Sequence, residues 1–436
     1  MKRELSTVHE RAARLNNYNY ATFAGANSYC FIMPDYKLLL DRCQYVNKIS
    51  ASLIDEFLVY YAARQDKVER EFESRISRFK DIEKEMPSDW KGMILAQYIG
   101  QRIFRAGGLI HKYLNSVAVK ARDAGEQEFL RTMATHPWRF SFSEIRANPA
   151  SDFYEMEDVF TGDIFLLYSP SVTRILSDHP VLLWFNLIGY NGSCWQTYGP
   201  VTAFRGFSAD DIFFYATELN PAIESDADLM ADIDDNPIRY MVLACGANYP
   251  LVAQQENEVV QVTGEGTYTG FDVQALRKDF RVEYAEGVFR LSHEVWSEPP
   301  HFAETFYEET SGKVLLFALT DRGYRELSAL LITHGMEIST EPDIRLHIPM
   351  GMVIKKVLKK ALVLNPYSQL FETRTSPESQ AEMSKINGFL ALALPYINAG
   401  QRPDITALAS EAGIDPELAA EILQTAMGRI NEMRKF

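Results

Sequence analysis

The sequence predicts an α+β protein of several domains. Two observations carry this expectation. The apolar period is helical to about residue 135, alternates in twos from His136, becomes mixed from about 221 and is helical again after 364. The length, 436 residues, fits two to four units of ~100–200 residues each. The expected layout is a helical region over 1–135, a β-rich barrel-like unit over 136–220, a mixed α+β unit over 221–364 and a helical C-terminal region over 365–436.

In the first region, Asp35 to Met86 contains neither Gly nor Pro, which predicts one long helix. Leu39, Cys43, Val46, Ile49, Leu53, Ile54, Phe57 and Leu58 recur at helical spacing as a broad core-facing stripe. Beyond Tyr61 the stripe narrows to Val68, Phe72, Ile76, Phe79, Ile82 and Met86, set among charged residues. Such a thin seam is expected to be buried, against a helix of this chain or against a second copy in a homodimer. Pro87 stops the helix because it cannot continue the hydrogen-bond ladder. Two further helices follow, over Trp90–Arg105 and Leu109–Arg122, broken at Gly107-Gly108.

From His136 the alternation of Trp138, Phe140 and Phe142 reads as a strand, as does Phe153–Phe160. Thr161-Gly162-Asp163 reads as a turn before the strand IFLLY. VLLWFNLIGY and SCWQTYG flank Asn191-Gly192, a pair suited to the positive φ angles of a type I′ hairpin turn. Ser208 with Asp211 forms a capping box ahead of IFFYATEL. Short strands and tight turns within some 80 residues suggest a small barrel or strongly curled sheet.

The run WRFSFSEI, then DVFTGDIFLLYSPSVTRIL, then WQTYGPVTAF resembles a segment that recurs in uncharacterised bacterial proteins. In those, a Trp-led strand precedes a D-x-x-T-G-x turn, a strand, a Ser-rich short helix and a closing G-P strand. Some also carry a SEC-C zinc motif. This chain has no clustered Cys and His, so that zinc is not carried over. The resemblance implies a fold unit and a bacterial origin, and names no active site.

In the third region, FAETFYEE, Thr310-Ser311-Gly312, KVLLFAL and DRGYRELSALLITHG predict a hairpin followed by a helix. FYEMEDVF, Thr161-Gly162, DIFLLY and SPSVTRIL share that plan, as a diverged internal repeat would. The last region begins helical at Ser376-Pro377-Glu378 and continues through INGFLALALPYI. In ITALASEAGIDPELAAEILQ, Ala409 and Gly413 sit where a helix-turn-helix needs a small residue and a turn, with Leu408, Ala412, Ile414 and Ile422 at apolar positions. Its second helix opens on Asp415-Pro416-Glu417, which suits the helix dipole and repels phosphate, so a packing or protein-contact module is expected.

Net charge is −15, which disfavours a polyanion over most of the surface. The start is charged throughout and lacks a signal peptide's apolar stretch, and no apolar run approaches the ~18 residues of a membrane span. The four cysteines, Cys30, Cys43, Cys194 and Cys245, are far apart and read as reduced, mostly buried thiols. A cytoplasmic protein without membrane contact is expected.

The candidate binding surface is basic. In MGMVIKKVLKKALVL, Val353, Ile354, Val357, Leu358, Ala361 and Leu362 cover one half of a helical wheel, and Lys355, Lys356, Lys359 and Lys360 the other. Arg345 and His347 precede them on a strand. The lysines are expected to solvate a surface helix or pair with acids of this chain. The alternative is a contact with phosphate, RNA, a membrane surface or an acidic protein.

Other candidates read as structural. Gly264, Gly266 and Gly270 have the wrong spacing for a dinucleotide loop. Asp226, Asp228, Asp232, Asp234 and Asp235 lack an EF-hand's Gly and Glu. At His293-Glu294 the HExxH pattern fails because Ser297 holds the second His position. No catalytic residue, metal ligand or cofactor is assigned. The expected function is a non-catalytic interaction or regulatory role. The alternatives are a nucleic-acid-associated factor using the lysines, and an enzyme with a pocket between the two β-containing units.

Overall fold

The computed structural model describes residues 35–176, 181–246, 252–254, 257–371, 385–390, 392–393, 396 and 403–433. The chain is α+β, with a helical N-terminal part, a closed barrel and an open sheet. It divides into two compact units, 1–365 and 366–436.

The Asp35–Met86 segment is not one helix. It runs as Tyr36–Ser50, a widened π turn over Ala51–Leu58, then Val59–Gln65, Val68–Ile76 and Lys80–Glu85. The main break is at Lys67, which adopts a left-handed conformation (φ 60°). The adjacent Asp66 carboxylate accepts from the Tyr113 hydroxyl (2.7 Å) and pairs with Lys112, anchoring the bend. This bend turns the seam inward: Val68, Phe72, Ile76 and Ile82 are buried, and Phe79 and Met86 pack against the same core. The Phe72 ring lies 5.6 Å from that of Tyr98 on the Ser88–Phe104 helix. The seam is therefore filled by this chain and is not left for a second copy.

Five strands close the barrel: β1 (Arg139–Ala150), β2 (Phe153–Asp158), β3 (Ile164–Tyr168), β4 (Leu183–Tyr190) and β5 (Trp195–Phe204), in the order β1-β2-β3-β5-β4. Only the β3–β5 pairing is parallel. β4 is buried on both faces, and its side chains alternate between two cores. Leu183, Phe185 and Leu187 join Trp138, Phe140 and Phe142 against the helices, while Trp184 and Ile188 pack with Tyr154, Met156 and Leu167. The D-x-x-T-G turn holds because the Asp158 carboxylate accepts from the amides of Phe160 and Thr161 (both 3.1 Å), and Gly162 takes φ 73°.

The hairpin at Asn191-Gly192 is present, but its turn is not type I′. Tyr190 pairs with Trp195, leaving a four-residue loop in which Gly192 (φ 93°) has positive φ and Asn191 does not. The Asn191 side chain shapes the loop instead, accepting from the amides of Ser193 and Cys194 (both 2.9 Å).

A two-stranded ribbon, β6 (Ala253–Gln254) with β7 (Asn257–Glu258), precedes the open sheet. The sheet comprises β8 (Val260–Thr267), β9 (Arg281–Ala285), β10 (Val288–Ser292), β11 (Ala303–Glu308), β12 (Lys313–Ala318), β13 (Glu337–Ile338) and β14 (Ile344–His347). Its order is β13-β8-β12-β11-β10-β9, with β14 pairing the other end of β8's free edge. The hairpin-then-helix plan occurs both in β2–β3 with Pro170–Leu176 and in β11–β12 with Asp321–Thr333. One copy belongs to the closed barrel and the other to the open sheet.

The largest core joins residues from Val46 to Val357, so the helices, one barrel face and the Ile348–Leu358 helix share it. The sheet has its own core around Leu316, Tyr324 and Leu327. In the second unit, helices Ile405–Ala412 and Pro416–Met433 meet at the left-handed Gly413 (φ 68°). Leu408, Ala409, Ala419 and Leu423 pack there with Phe389 and Ala393. The Asp415 carboxylate accepts from the Glu417 amide (2.8 Å), a cap that accounts for the acidic start of the second helix. The opening of the last region at Ser376 lies outside the described residues. Among the described residues no helix is long and apolar enough to cross a membrane.

Candidate functional site

Three helices bring guanidinium and acidic groups to one place. Val68–Ile76 carries Glu71 and Arg75, and Ser88–Phe104 carries Tyr98 and Arg102, with Arg105 at its end. Asp226–Asp235 ends here with Asp234, Asp235 and Asn236. The last carbonyls of a helix have no intrahelical donor and carry partial negative charge. Acidic side chains at that end make the charge worse, and the arginines answer it. Arg75 and Arg102 each donate to the Asp235 carbonyl (2.8 and 2.9 Å). Arg105 faces the Asp235 carboxylate at 3.1 Å, and Gln101 donates to the Asp234 carbonyl (2.9 Å).

Glu71, Arg75, Arg102, Arg105, Asp235 and Asn236 line an open cleft of about 530 Å³, with the Gly107-Gly108 turn, Leu109 and Asp66 also on its wall. Arg102 is the pivot. It is 7% exposed; its Nε donates to the Tyr98 hydroxyl (3.0 Å) and its Nη2 to Glu71 (3.1 Å). Its Nη1 is buried without a hydrogen-bond partner. Burial alone would push the Glu71 carboxyl up, but the Tyr98 hydroxyl with Arg102 and Arg75 holds it below the ordinary range. Burial, with the bond to Glu71, pushes Tyr98 up to about 12. The cleft therefore keeps fixed charges near neutral pH and one strong donor unspent.

The basic run is arranged differently from the sequence expectation. Its helix spans Ile348–Leu358, and Lys359 leaves it in a left-handed conformation (φ 56°). Leu362 then folds back to within 3.9 Å of the place a Cβ would take on Gly351. In a continued helix these two would lie about 16 Å apart. Val353, Ile354 and Val357 are buried as expected, whereas Ala361 is exposed. Lys356 pairs with Glu85 (2.5 Å), Lys359 with Asp81 (3.1 Å) and Lys360 with Glu218. Lys355 is exposed.

Arg345 and His347 lie on β14, the strand that leads directly into the Ile348–Leu358 helix. Arg345 pairs with Asp321 (2.9 Å) and Glu258 (3.2 Å). His347 is 3% exposed, and its Nδ1 lies 2.7 Å from Asp211, the same carboxylate that completes the Ser208 capping box. Burial pulls the imidazole down, but Asp211 and Glu258 outweigh it and raise His347 to about 9.

The remaining candidates take structural places. Gly264 and Gly266 lie inside β8. A Cβ on Gly264 would sit 2.0 Å from the Tyr324 hydroxyl, and one on Gly266 would sit 2.4 Å from the Glu337 carbonyl. Close packing explains both glycines. Asp226–Asp235 is helix; Asp228 caps its start, and Asp232 accepts from Arg239 and Tyr240 (both 2.8 Å). His293 caps a short 3-10 turn, and His301 bonds Thr320 (2.9 Å). Among the described residues no group of His, Cys, Asp or Glu could hold a metal ion.

The arginine cleft was missed in the sequence because its members come from three separated helices. The pairs Glu71–Arg75 and Tyr98–Arg102, each four apart on one helix face, are its local traces. No protein-family model, curated protein or solved structure matches the chain, so the resemblance of the 138–204 run rests on its own residues.

Proposed function

We propose that this chain is a non-catalytic regulatory binding protein of the cytoplasm, and that its arginine cleft takes a small ligand bearing a carboxylate or phosphate. The observation that carries this reading is Arg102: a nine-tenths buried guanidinium in the cleft wall with one nitrogen unpartnered. A buried unsatisfied donor costs about 1–3 kcal/mol, and a shift of the cleft wall that brings an oxyanion to it would recover that cost through a charge-assisted bond. Arg75 and Arg105, each roughly a quarter to a third exposed, supply further donors at the mouth. Binding fits better than acid–base chemistry, because a carboxylate held low, as Glu71 is, makes a weak general base.

The lysine run supports a nucleic-acid reading less well. Contact with phosphate there would first have to displace Glu85, Asp81 and Glu218.

The test is a thermal-shift titration with inorganic phosphate and with citrate, on wild type and Arg105→Gln at constant ionic strength. A saturable rise in the midpoint for wild type, weakened in the variant, is expected. Equal shifts in both proteins, or none in either, would sink the binding reading. Reproducible turnover in an unbiased metabolite or nuclease screen would sink the non-catalytic one.

A further inference from the structure

Cys43 and Cys194 are separated by 151 positions, yet their sulfurs lie 3.4 Å apart. Cys43 comes from the middle of the Tyr36–Ser50 helix, and Cys194 closes the β4–β5 loop. Both thiols are free and buried, at 0% and 2% exposure. Both belong to an apolar cluster with Phe153 and Tyr168, into which the β4–β5 hairpin places polar groups. Asn191 Nδ2 lies 3.3 Å from Cys43 Sγ and 3.5 Å from Cys194 Sγ, and 2.6 Å from Gln196 Oε1. Gln196 Nε2 donates to the Cys43 carbonyl (3.3 Å) and to Asn47 (3.0 Å). Arg42 donates to the Asn191 carbonyl (3.1 Å), placing a cation beside the pair. Thiols in an ordinary apolar core have no need of such donors; a thiolate does.

We propose that Cys43 and Cys194 are a reversible dithiol–disulfide site oxidised by a hydroperoxide. The two sulfurs have distinct roles. Either sulfur can donate in the bond between them; that bond, opposed by burial and helped by Asn191, holds Cys194 below the usual thiol range. Cys43 is raised by that same bond and by burial. Cys194, which lies in the surface loop while Cys43 sits in mid-helix, is therefore the attacking thiolate. Gly192 and Ser193 beside it are exposed, so opening of this four-residue loop admits an oxidant.

In the first step Cys194 Sγ attacks the distal peroxide oxygen, the O–O bond breaks, and the leaving oxygen, after taking a proton, departs as water from hydrogen peroxide or as the alcohol from an organic hydroperoxide. In the second, Cys43 Sγ attacks the sulfenic sulfur. The S–S bond forms, the S–O bond breaks, and water leaves with the Cys43 proton. The two thiols lose two electrons and the hydroperoxide gains them. The product ties the N-terminal helix to the barrel and restrains the unfolded chain across those 151 positions.

The experiment treats the full chain with millimolar hydrogen peroxide, at a dose that fully oxidises free glutathione in parallel. The chain is then alkylated under denaturing conditions and its peptides mapped without reduction. A linked Cys43–Cys194 peptide, two hydrogens lighter than the separate pair and restored by dithiothreitol, is expected. The oxidised wild type should melt several degrees higher than the reduced protein. In Cys43→Ser, oxidation should stop at a sulfenic acid on Cys194 that dimedone traps. Should that variant fail to fold, the wild-type map and melting shift decide alone. Alkylatable Cys43 and Cys194 after treatment, or a link through Cys30 or Cys245 in their place, would overturn the proposal.

Discussion

Asp211 binds His347 with the carboxylate that caps its own helix. Its Oδ2 accepts from the Ser208 amide (2.6 Å) and lies 2.7 Å from His347 Nδ1, while Oδ1 accepts from the His347 amide (2.8 Å). One buried side chain thus fixes a helix start and fastens the last strand of the sheet to it, 136 residues further on. Charged groups buried this deeply persist only when paired on every side, and Glu258, Arg345 and Asp321 complete the pairing.

This arrangement makes stability fall at high pH. His347 is raised to about 9 in the folded chain against an ordinary value of 6.5. Its contribution is therefore fully present below about 6.5 and is lost as pH rises through 9. A shift of this size corresponds to about 3 kcal/mol. Urea unfolding at pH 6, 7.5 and 9.5 should show wild type losing stability across the series. His347→Gln should be weaker at pH 6 and should lose less between pH 6 and pH 9.5. Parallel pH profiles for the two proteins would show that His347 is not held charged.

Phe72 should behave as a core residue and not as an interface residue. It is fully buried, with its ring tilted against that of Tyr98. Phe72→Ala removes a large side chain from a packed site and should cost about 3–5 kcal/mol in unfolding free energy. Light scattering should give the same mass for variant and wild type. A drop in mass, with stability unchanged, would place the seam between two copies instead.

Replacing Lys355, Lys356, Lys359 and Lys360 with Gln should change stability little. Exposed ion pairs contribute about 0–1 kcal/mol each, and Gln keeps similar helix propensity. On a phosphate-rich matrix at low salt both proteins should be retained weakly and alike, since three of the lysines already face carboxylates of this chain. Steeply salt-dependent retention of wild type alone would instead identify a polyanion surface.

Elements governed by neighbours in sequence could be read from the residues alone. The alternation at Trp138, Phe140 and Phe142, the Ser208–Asp211 capping box, the Thr161-Gly162 turn and the Gly413 junction all stand where local rules put them. Each depends on contacts a few residues apart, and backbone geometry forces those contacts wherever the pattern occurs. Local rules failed where distant groups took over. The helix after Asp35 bends at Lys67 because Asp66 is tied to Lys112 and Tyr113. The hairpin loop departs from type I′ where Asn191 faces Cys43 and Gln196.

The pairing of charges and thiols was decided by tertiary structure alone. The sequence by itself determined that four lysines would be crowded together and that the cysteines would lie far apart along the chain. It could not determine that Glu85, Asp81 and Glu218 would reach three of those lysines, or that Cys43 would touch Cys194. Nor did any spacing place Arg75, Arg102 and Arg105 at the end of the Asp226–Asp235 helix. Such contacts join residues more than a hundred positions apart. Only the packing of whole helices and sheets, driven by burial of their apolar faces, selects which polar side chains meet.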